Sequence, residues 1–378
     1  MPIAAPSTMA GTTTMNLFGR DLALCSPQNP NQSTAVCRPF LDSERCAMTM
    51  RKVLHVGPCD TPGGMATVMH TLAQYPPEGW EAELLASHAP GGLWTKWRAY
   101  RRARRELKRR CSDPNLRPDV VHVHVASDWS WRRKSRLIRD GQTHNIAVVV
   151  HLHSGQFDAW LAKGGRGRAE GVRAVLSSPN TRGVVLSSAW KERLEPMVGS
   201  VEIVGNPYRL LASSAEVARE SHHLLLLARK DPIKGHSFAV KIAERLREEF
   251  PTLRLTMTGV TQSEHDWVNA RGWVSQEEKA FLLARASLLL LPSAFEGQPV
   301  AALEALSAGL QVCVSDRVVG LPETVKQAKW GDAEAWTTVV RNMLNNPQDE
   351  TVLHSSVAQH TIDRVQQRWK SVYESLLP

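Results

Sequence analysis

The sequence predicts an α/β chain built as two doubly wound parallel-sheet (Rossmann-like) domains facing a cleft. Three observations predict it. Short apolar runs such as LLLLA (224–228) and ASLLLLP (286–292) alternate with segments of helical period. That is the pattern of strands buried on both faces between helices. The series restarts near residue 222 after a polar stretch, ASSAEVARESHH (212–223), which separates one unit from the next. A length of 378 residues also exceeds what one hydrophobic core usually organises.

Residues 1–50 are rich in Ser, Thr, Pro, Asn and Gln without periodicity. They are expected to be a disordered tail or a mis-assigned start, with Met48 or Met50 as the alternative first residue. The first domain is expected over 51–211. Its strand candidates are RKVLHV (51–56), AELLA (82–86), VVHVHV (120–125), IAVVVHLH (146–153), GVVLSS (183–188) and VEIVG (201–205). The second is expected over 212–355, with HLLLLA (223–228), LRLTMTG (253–259), ASLLLLP and LQVCVSD (310–316) as strands. KIAERLREEF (241–250) and VAALEALSA (300–308) carry helical period between them. The segment 356–378 ends the chain. In it Ile362, Val365, Trp369, Val372 and Leu376 recur at three- and four-residue steps, giving an amphipathic helix with one face to bury.

Composition narrows the function classes. No apolar run approaches the ~20 residues that a membrane-spanning helix needs. The first residues lack the charged start and apolar block of an export signal, and none of the six cysteines forms a C-x-x-C pair. Reduced thiols and a cytoplasmic setting are therefore expected. The net charge of +9 suits a partner bearing phosphates or an anionic membrane surface without choosing between them.

Three stretches carry chemistry. GPCDTPGGMATVMHTLA (57–73) follows the first strand. Gly63 and Gly64 there let backbone approach a ligand ahead of a helix N-terminus, which favours an anion. The plain reading is a tight turn, and the stretch is not G-x-G-x-x-G. In ARKDPIKGH (228–236), Arg229 and Lys234 follow a buried-type strand. They offer a planar fork and a point charge to phosphate oxygens; the plain reading is a solvated loop. In SAFEGQPVAALEALSAG (293–309), Glu296 lies at the carboxyl end of a strand, where open α/β sheets bind ligands. Glu304 lies on the following helix. The two carboxylates are staggered along one ligand rather than paired as an acid–base dyad, and each can accept hydrogen bonds from sugar hydroxyls. Ser293, Glu296 and the backbone N–H groups near 297–300 are expected to face the cleft.

These motifs together resemble the retaining nucleotide-sugar glycosyltransferases of family 4, which have the GT-B fold. The likeness runs over 51–378. PSAFEGQPVAALEALSAG (292–309) is similar to that family's P-S-x-x-E-G-x-P signature with its E-x7-E, and ARKDPIKG to its G-R-x-x-x-x-K-G element. PGGMATVMHTLA (62–73), DVVHVHV (119–125), VVVHLHSG (148–155) and VVLSSAWKERL (184–194) follow in family order. The resemblance implies an acceptor-binding first domain, a nucleotide-sugar-binding second domain, and a last helix that crosses back to the first. It implies that Glu304 holds the donor ribose and Glu296 positions the donor sugar. Arg229 and Lys234 would bind the diphosphate; Ser293 and Gly297 are expected in the donor-binding set with Glu304. Gly63 and Gly64 would bring backbone to phosphate and sugar, and His153 would stand close to the transferred sugar. His151 is expected to face away from His153. No D-x-D motif occurs, so the two cations are expected to serve in place of a metal, with no cofactor beyond the donor. Ser287, Gln298 and the loop VVGLPE ending at Glu323 depart from the family pattern. They bear on donor and sugar preference.

LWTKWRAYRRARRELKRR (93–110) carries eight arginines and lysines from Arg98 onward, with Leu93, Trp97, Tyr100 and Leu107 read as one apolar face. The plain reading is a helix with a solvated basic face. The sharper one is docking to anionic lipid headgroups at an inner membrane face, extended by WSWRRKSR (129–136). The acceptor expected is a glycan or a lipid-linked one. A nucleotide-sugar epimerase or hydrolase, and a basic nucleic-acid-binding protein, are the alternatives. The second leaves the two glutamates unexplained, so no nucleic-acid partner is expected.

Overall fold

A computed structural model describes residues 50–209 and 218–378. The expected tail lies outside these residues up to position 49, as does the first half of the polar stretch between the two strand series. The first sheet holds β1 (Arg51–Gly57), β2 (Trp80–Ala86), β3 (Val120–Val125), β4 (Ala147–Leu152), β5 (Thr181–Val185) and β6 (Glu202–Ile203). Their order is β2-β1-β3-β4-β5-β6, parallel throughout. The second holds β7 (His223–Leu226), β8 (Arg254–Met257), β9 (Val268–Ala270), β10 (Leu288–Leu291), β11 (Val312–Ser315) and β12 (Lys326–Ala328). Its order is β12-β11-β10-β7-β8-β9, again parallel.

In each sheet the winding reverses beside the first strand. The chain leaves β1 for β2 and returns to β3 on the other side; it leaves β7 for β8 and β9, then returns to β10. Ligands bind outside the carboxyl ends of strands at such switch points. The Gly63–Gly64 turn after β1, the Arg229 loop after β7 and the Glu296 loop after β10 all start at those ends.

Both sheets are covered on both faces, which is why their central strands are buried along most of their length, mainly apolar in the second sheet and interrupted in the first by the buried His55, His122, His124 and His151. Leu54, Val121, Val123, Val148 and Val150 of the first sheet pack against Tyr100, Leu107, Leu137 and Ile138 of the helices Leu93–Ser112 and Trp129–Thr143. Val53, Val120 and Val149 on its other face meet Val68 and Leu72 of the helix Gly64–Gln74. That face also receives Val365, Trp369 and Tyr373 of the helix Ile362–Glu374, at the far end of the chain. In the second sheet Leu289, Leu291 and Val314 pack on Leu303 and Leu306, while Leu224, Leu288 and Leu290 pack on Ile242, Leu246 and Trp336.

Two sequence expectations are corrected. Leu93 and Trp97 do not join the buried face of their helix. Leu93 is 86% and Trp97 46% exposed, and the buried stripe is Tyr100, Ala103, Leu107 and Cys111. His151 does not face away from His153. Residues two apart on a strand share a face, and their ring centroids are 3.9 Å apart.

Candidate active site

Between the carboxyl edges of the two sheets lies a cleft of about 390 Å³, a size usual for a small-molecule site. Gly63, Gly64, His153, Arg229, Lys234, Glu296, Gly297 and Glu304 all line it. Ser293 does not. It is buried behind the wall, its carbonyl taking a hydrogen bond from Ser315 Oγ at 2.6 Å and its own hydroxyl unpartnered.

The second domain supplies the charges. Arg229 emerges after β7, and its guanidinium rests on Asp231, with Nη2 3.0 Å and Nε 3.3 Å from Oδ2. Burial pushes the Asp231 carboxyl up, but the Arg229 fork and the Ile233 amide outweigh it and hold it below its ordinary value. Asp231 also caps the short turn Pro232–Lys234, so one carboxylate fixes both the arginine and the turn that presents Lys234. Lys234 Nζ lies 2.5 Å from Glu296 Oε1, each side chain 16% exposed. On the next helix, Val300–Ser307, Glu304 pairs with Lys279 Nζ at 2.6 Å. Burial still raises the Glu304 carboxyl above its usual range despite that partner. Sequence reasoning missed Lys279 and Asp231. Asp231 was readable two residues after Arg229. Lys279 sits on an amphipathic helix and meets Glu304 only through the fold.

The first domain supplies backbone and neutral groups. Gly63 adopts φ +151°, and a Cβ there would lie 3.4 Å from Arg229 Nη1, so this turn faces the guanidinium across the cleft. His153 presents its ring to the cleft with Nε2 2.9 Å from His124 Nδ1. Burial pushes its imidazole down to about 3, with the Lys134 charge adding to this, so it is neutral near pH 7.

The two edges touch where side chains are absent. A Cβ on Gly155 would come within 2.2 Å of the Glu296 carbonyl, and one on Gly297 within 2.1 Å of the His153 carbonyl. Trp190 Nε1 donates to the Gly297 carbonyl at 2.6 Å. Gln298, one of the departures noted above, accepts from the Asn206 amide at 2.7 Å and donates to the Gly320 carbonyl at 3.1 Å. An apolar residue could do neither. The position has become a polar clasp between the domains.

A family model described as "Glycosyl transferases group 1" matches residues 221–346. A glycogen synthase of Mycobacterium tuberculosis is 25% identical over 275 residues, 65% of this chain and 65% of that protein. The match thus spans just under two thirds of that relative's length. An MMP alpha-(1->4)-mannosyltransferase of Mycolicibacterium hassiacum is 29% identical over 150 residues, 35% of this chain and 36% of its own. Among solved structures, a sucrose-phosphate synthase from Thermosynechococcus elongatus superposes with a TM-score of 0.59 at 14% identity, covering 86% of this chain and 97% of that one. At that identity the likeness speaks for the fold alone. The fold is GT-B, and residues 221–346 are similar to the glycosyl transferases group 1 model.

Proposed function

We propose that this chain moves a sugar from a nucleotide-diphosphate donor to a glycan or lipid-linked acceptor, with retention at the sugar carbon and without a metal in the donor site. One observation carries the reading. Two fixed cations, Arg229 and Lys234, stand opposite a Gly63–Gly64 turn, and two carboxylates at different depths, Glu296 and Glu304, line the same cleft. Glycosyl transfer must stabilise a cation-like sugar and a departing diphosphate. The Arg229 fork and Lys234 ammonium answer the diphosphate. Glu296, already held by Lys234, answers the sugar. Glu304 has a second oxygen left to accept a ribose hydroxyl. His153, neutral and bonded through Nε2, keeps Nδ1 for a sugar hydroxyl. As the acceptor oxygen bonds to the sugar carbon, the bond from that carbon to the diphosphate breaks, and the acceptor's proton leaves with the diphosphate or to water. Retention rests on the family resemblance and hexosyl transfer on the names of the relatives.

The acceptor side extends to a membrane surface in this proposal. The helices Leu93–Ser112 and Trp129–Thr143 follow β2 and β3, so both begin at the sheet edge that forms the cleft. Leu93, Trp94, Trp97 and Trp129 are exposed there beside Arg101 and Arg132, whose guanidinium groups lie over the rings of Trp97 and Trp129. Aromatic rings next to cations are what interfacial binding uses. No helix among the described residues is long and apolar enough to cross a membrane. Peripheral attachment at the cytoplasmic face is the mode proposed.

The test is a thermal-shift screen against UDP, GDP, ADP and their sugars, followed by turnover with the donor that binds. A ligand of the native state raises Tm by mass action. Turnover in EDTA with an α-configured product from an α-configured donor is the expected result. Loss of turnover restored by Mg²⁺ or Mn²⁺, or an inverted product, overturns the corresponding part.

A further inference from the structure

We propose that His124, His151 and His153 form a binding site for a divalent transition-metal ion of the zinc type, set in the first sheet and opening to the cleft. β3 carries His122 and His124 at alternate positions, β4 carries His151 with His153 just past its end, and the register puts His124 beside His151. One ring nitrogen from each of the three lies within 4.8 Å of the others. His124 Nδ1 and His153 Nε2 are 2.9 Å apart. His151 Nε2 is fully buried with no hydrogen-bond partner. Leaving such a group unmade costs free energy, and a metal bond is one way to satisfy it. Zinc bonds of about 2.0–2.1 Å place nitrogen ligands roughly 3.3 Å apart, which small ring rotations reach from here.

The surroundings have the form of an outer shell. His151 Nδ1 lies 3.1 Å from His122 Nε2, and His122 Nδ1 lies 2.8 Å from the Tyr373 hydroxyl. His124 Nε2 lies 3.0 Å from His55 Nδ1. Each of these two ligands therefore has its second nitrogen held, which fixes tautomer and ring direction. Lys134 Nζ donates to the His124 carbonyl oxygen and leaves the ring nitrogens free. Three neutral imidazoles with no carboxylate select a transition metal over Mg²⁺ or Ca²⁺. Ring nitrogens of His55, His122 and His124 also lie within 4.8 Å of one another, but all three rings are fully buried. His153 lines the cleft, so an ion can enter there and keep a fourth position facing it. The site shares His153 with the proposed transferase cleft, but its test reads metal uptake and does not depend on turnover.

The experiment titrates the tag-free, EDTA-stripped full chain with Co²⁺. One equivalent is expected to bind with the intense visible absorption of a four-coordinate ion, to be displaced by Zn²⁺, and to raise Tm. His151→Phe, which fills the same space without the unpartnered nitrogen, and His124→Gln should each weaken binding about 100-fold or more. His354→Gln, on the surface, should leave it unchanged. Uptake only with the weak spectrum of six-coordinate surface ions, no stoichiometric uptake, or unchanged affinity in a folded His151→Phe or His124→Gln variant overturns the proposal. The layer is then a hydrogen-bonded histidine core. If His151→Phe does not fold, the unmodified chain's titration and His124→Gln decide.

Discussion

The two sheet edges that meet across the cleft are chemically opposite. The second domain lines it with Arg229, Lys234, Lys279, Glu296 and Glu304, in three local ion pairs counting Arg229 with Asp231. The first domain lines it with Gly63, Gly64, Ser154, Gly155, Gln156 and the neutral ring of His153. One edge answers charge with charge. The other offers backbone and uncharged donors, and behind it stands a layer of imidazoles without a carboxylate partner. A polar ligand that is anionic at one end and uncharged at the other fits between them.

The largest expected effect comes from the neutral layer. Burial pushes His55 and His153 down to about 3, and lowers His122, His124 and His151 well below the ordinary histidine range. In the unfolded chain these groups titrate near 6.5. Between about 6.5 and about 3 the unfolded chain therefore binds more protons, so stability falls as pH drops through that window. The urea midpoint of the metal-free protein should be flat above about pH 7 and decline steadily below 6.5. A midpoint independent of pH down to 5 would mean that these rings are not buried neutral together.

The charged edge should show its effect in turnover instead. Arg229→Ala is expected to lower it by about 10²–10³, the usual loss for one preorganised stabilising group, with the urea midpoint little changed. Asp231→Asn keeps the guanidinium but loosens its seat, so a smaller loss of about tenfold is expected. If Asp231→Asn costs as much as Arg229→Ala, the carboxylate itself touches the ligand and the division of roles is redrawn.

How much of this was readable before folding differs between the edges for a physical reason. Arg229, Lys234 and Glu296 stand out in sequence because they lie in the loops that follow the apolar runs of β7 and β10, and Glu304 because it is a lone carboxylate in a helix otherwise apolar but for Ser307. The strand series itself was legible through the same apolar runs. β9 (Val268–Ala270) and β12 (Lys326–Ala328) were not. Each is three residues long at a sheet edge, and β12 buries only Ala328, so no run betrays them. The histidine layer was hidden differently. HVHV and HLH are visible, but the contact of His55 with His122 and of His124 with His151 comes from register between separate strands. Register is not written in any one of them. Lys279 meeting Glu304, 25 residues on, is the same case on helices.

The contact between the edges gives a middling effect and an internal control. In Gly297→Ala the new Cβ would meet the His153 carbonyl oxygen at 2.1 Å. Backbone must move, and overpacking of this kind costs about 1–3 kcal/mol. Gly64 has nothing within 4 Å of its would-be Cβ and no positive φ. Gly64→Ala should leave stability within about 0.5 kcal/mol and lower only donor affinity. Equal midpoints for the two variants would show that the domains do not hold this contact in solution.

The smallest effect on the folded chain is expected outside the cleft. Trp94 is 76% and Trp129 69% exposed, so neither belongs to the core that Tyr100 and Leu107 build beneath them. Trp94→Ser with Trp129→Ser should therefore change stability by no more than about 0.5 kcal/mol each. Their effect should appear at a lipid surface. The unmodified chain is expected to bind anionic vesicles, more weakly as salt rises, because exposed charges are screened beyond about 10 Å at 0.1 M. Charge alone would leave the double variant binding with the same salt dependence and similar affinity. Aromatic insertion beside Arg101 and Arg132 predicts weaker binding at every salt concentration with the slope preserved, because the cations remain. Replacing Arg101, Arg102, Arg105 and Arg109 by Gln should instead flatten the slope. Arg109 is the least informative of the four, since it is already paired with Glu106 at 2.8 Å. Equal binding to neutral and anionic vesicles, or to neither, would leave these helices as a solvated basic surface. The neutral edge would then have to recruit its acceptor from solution.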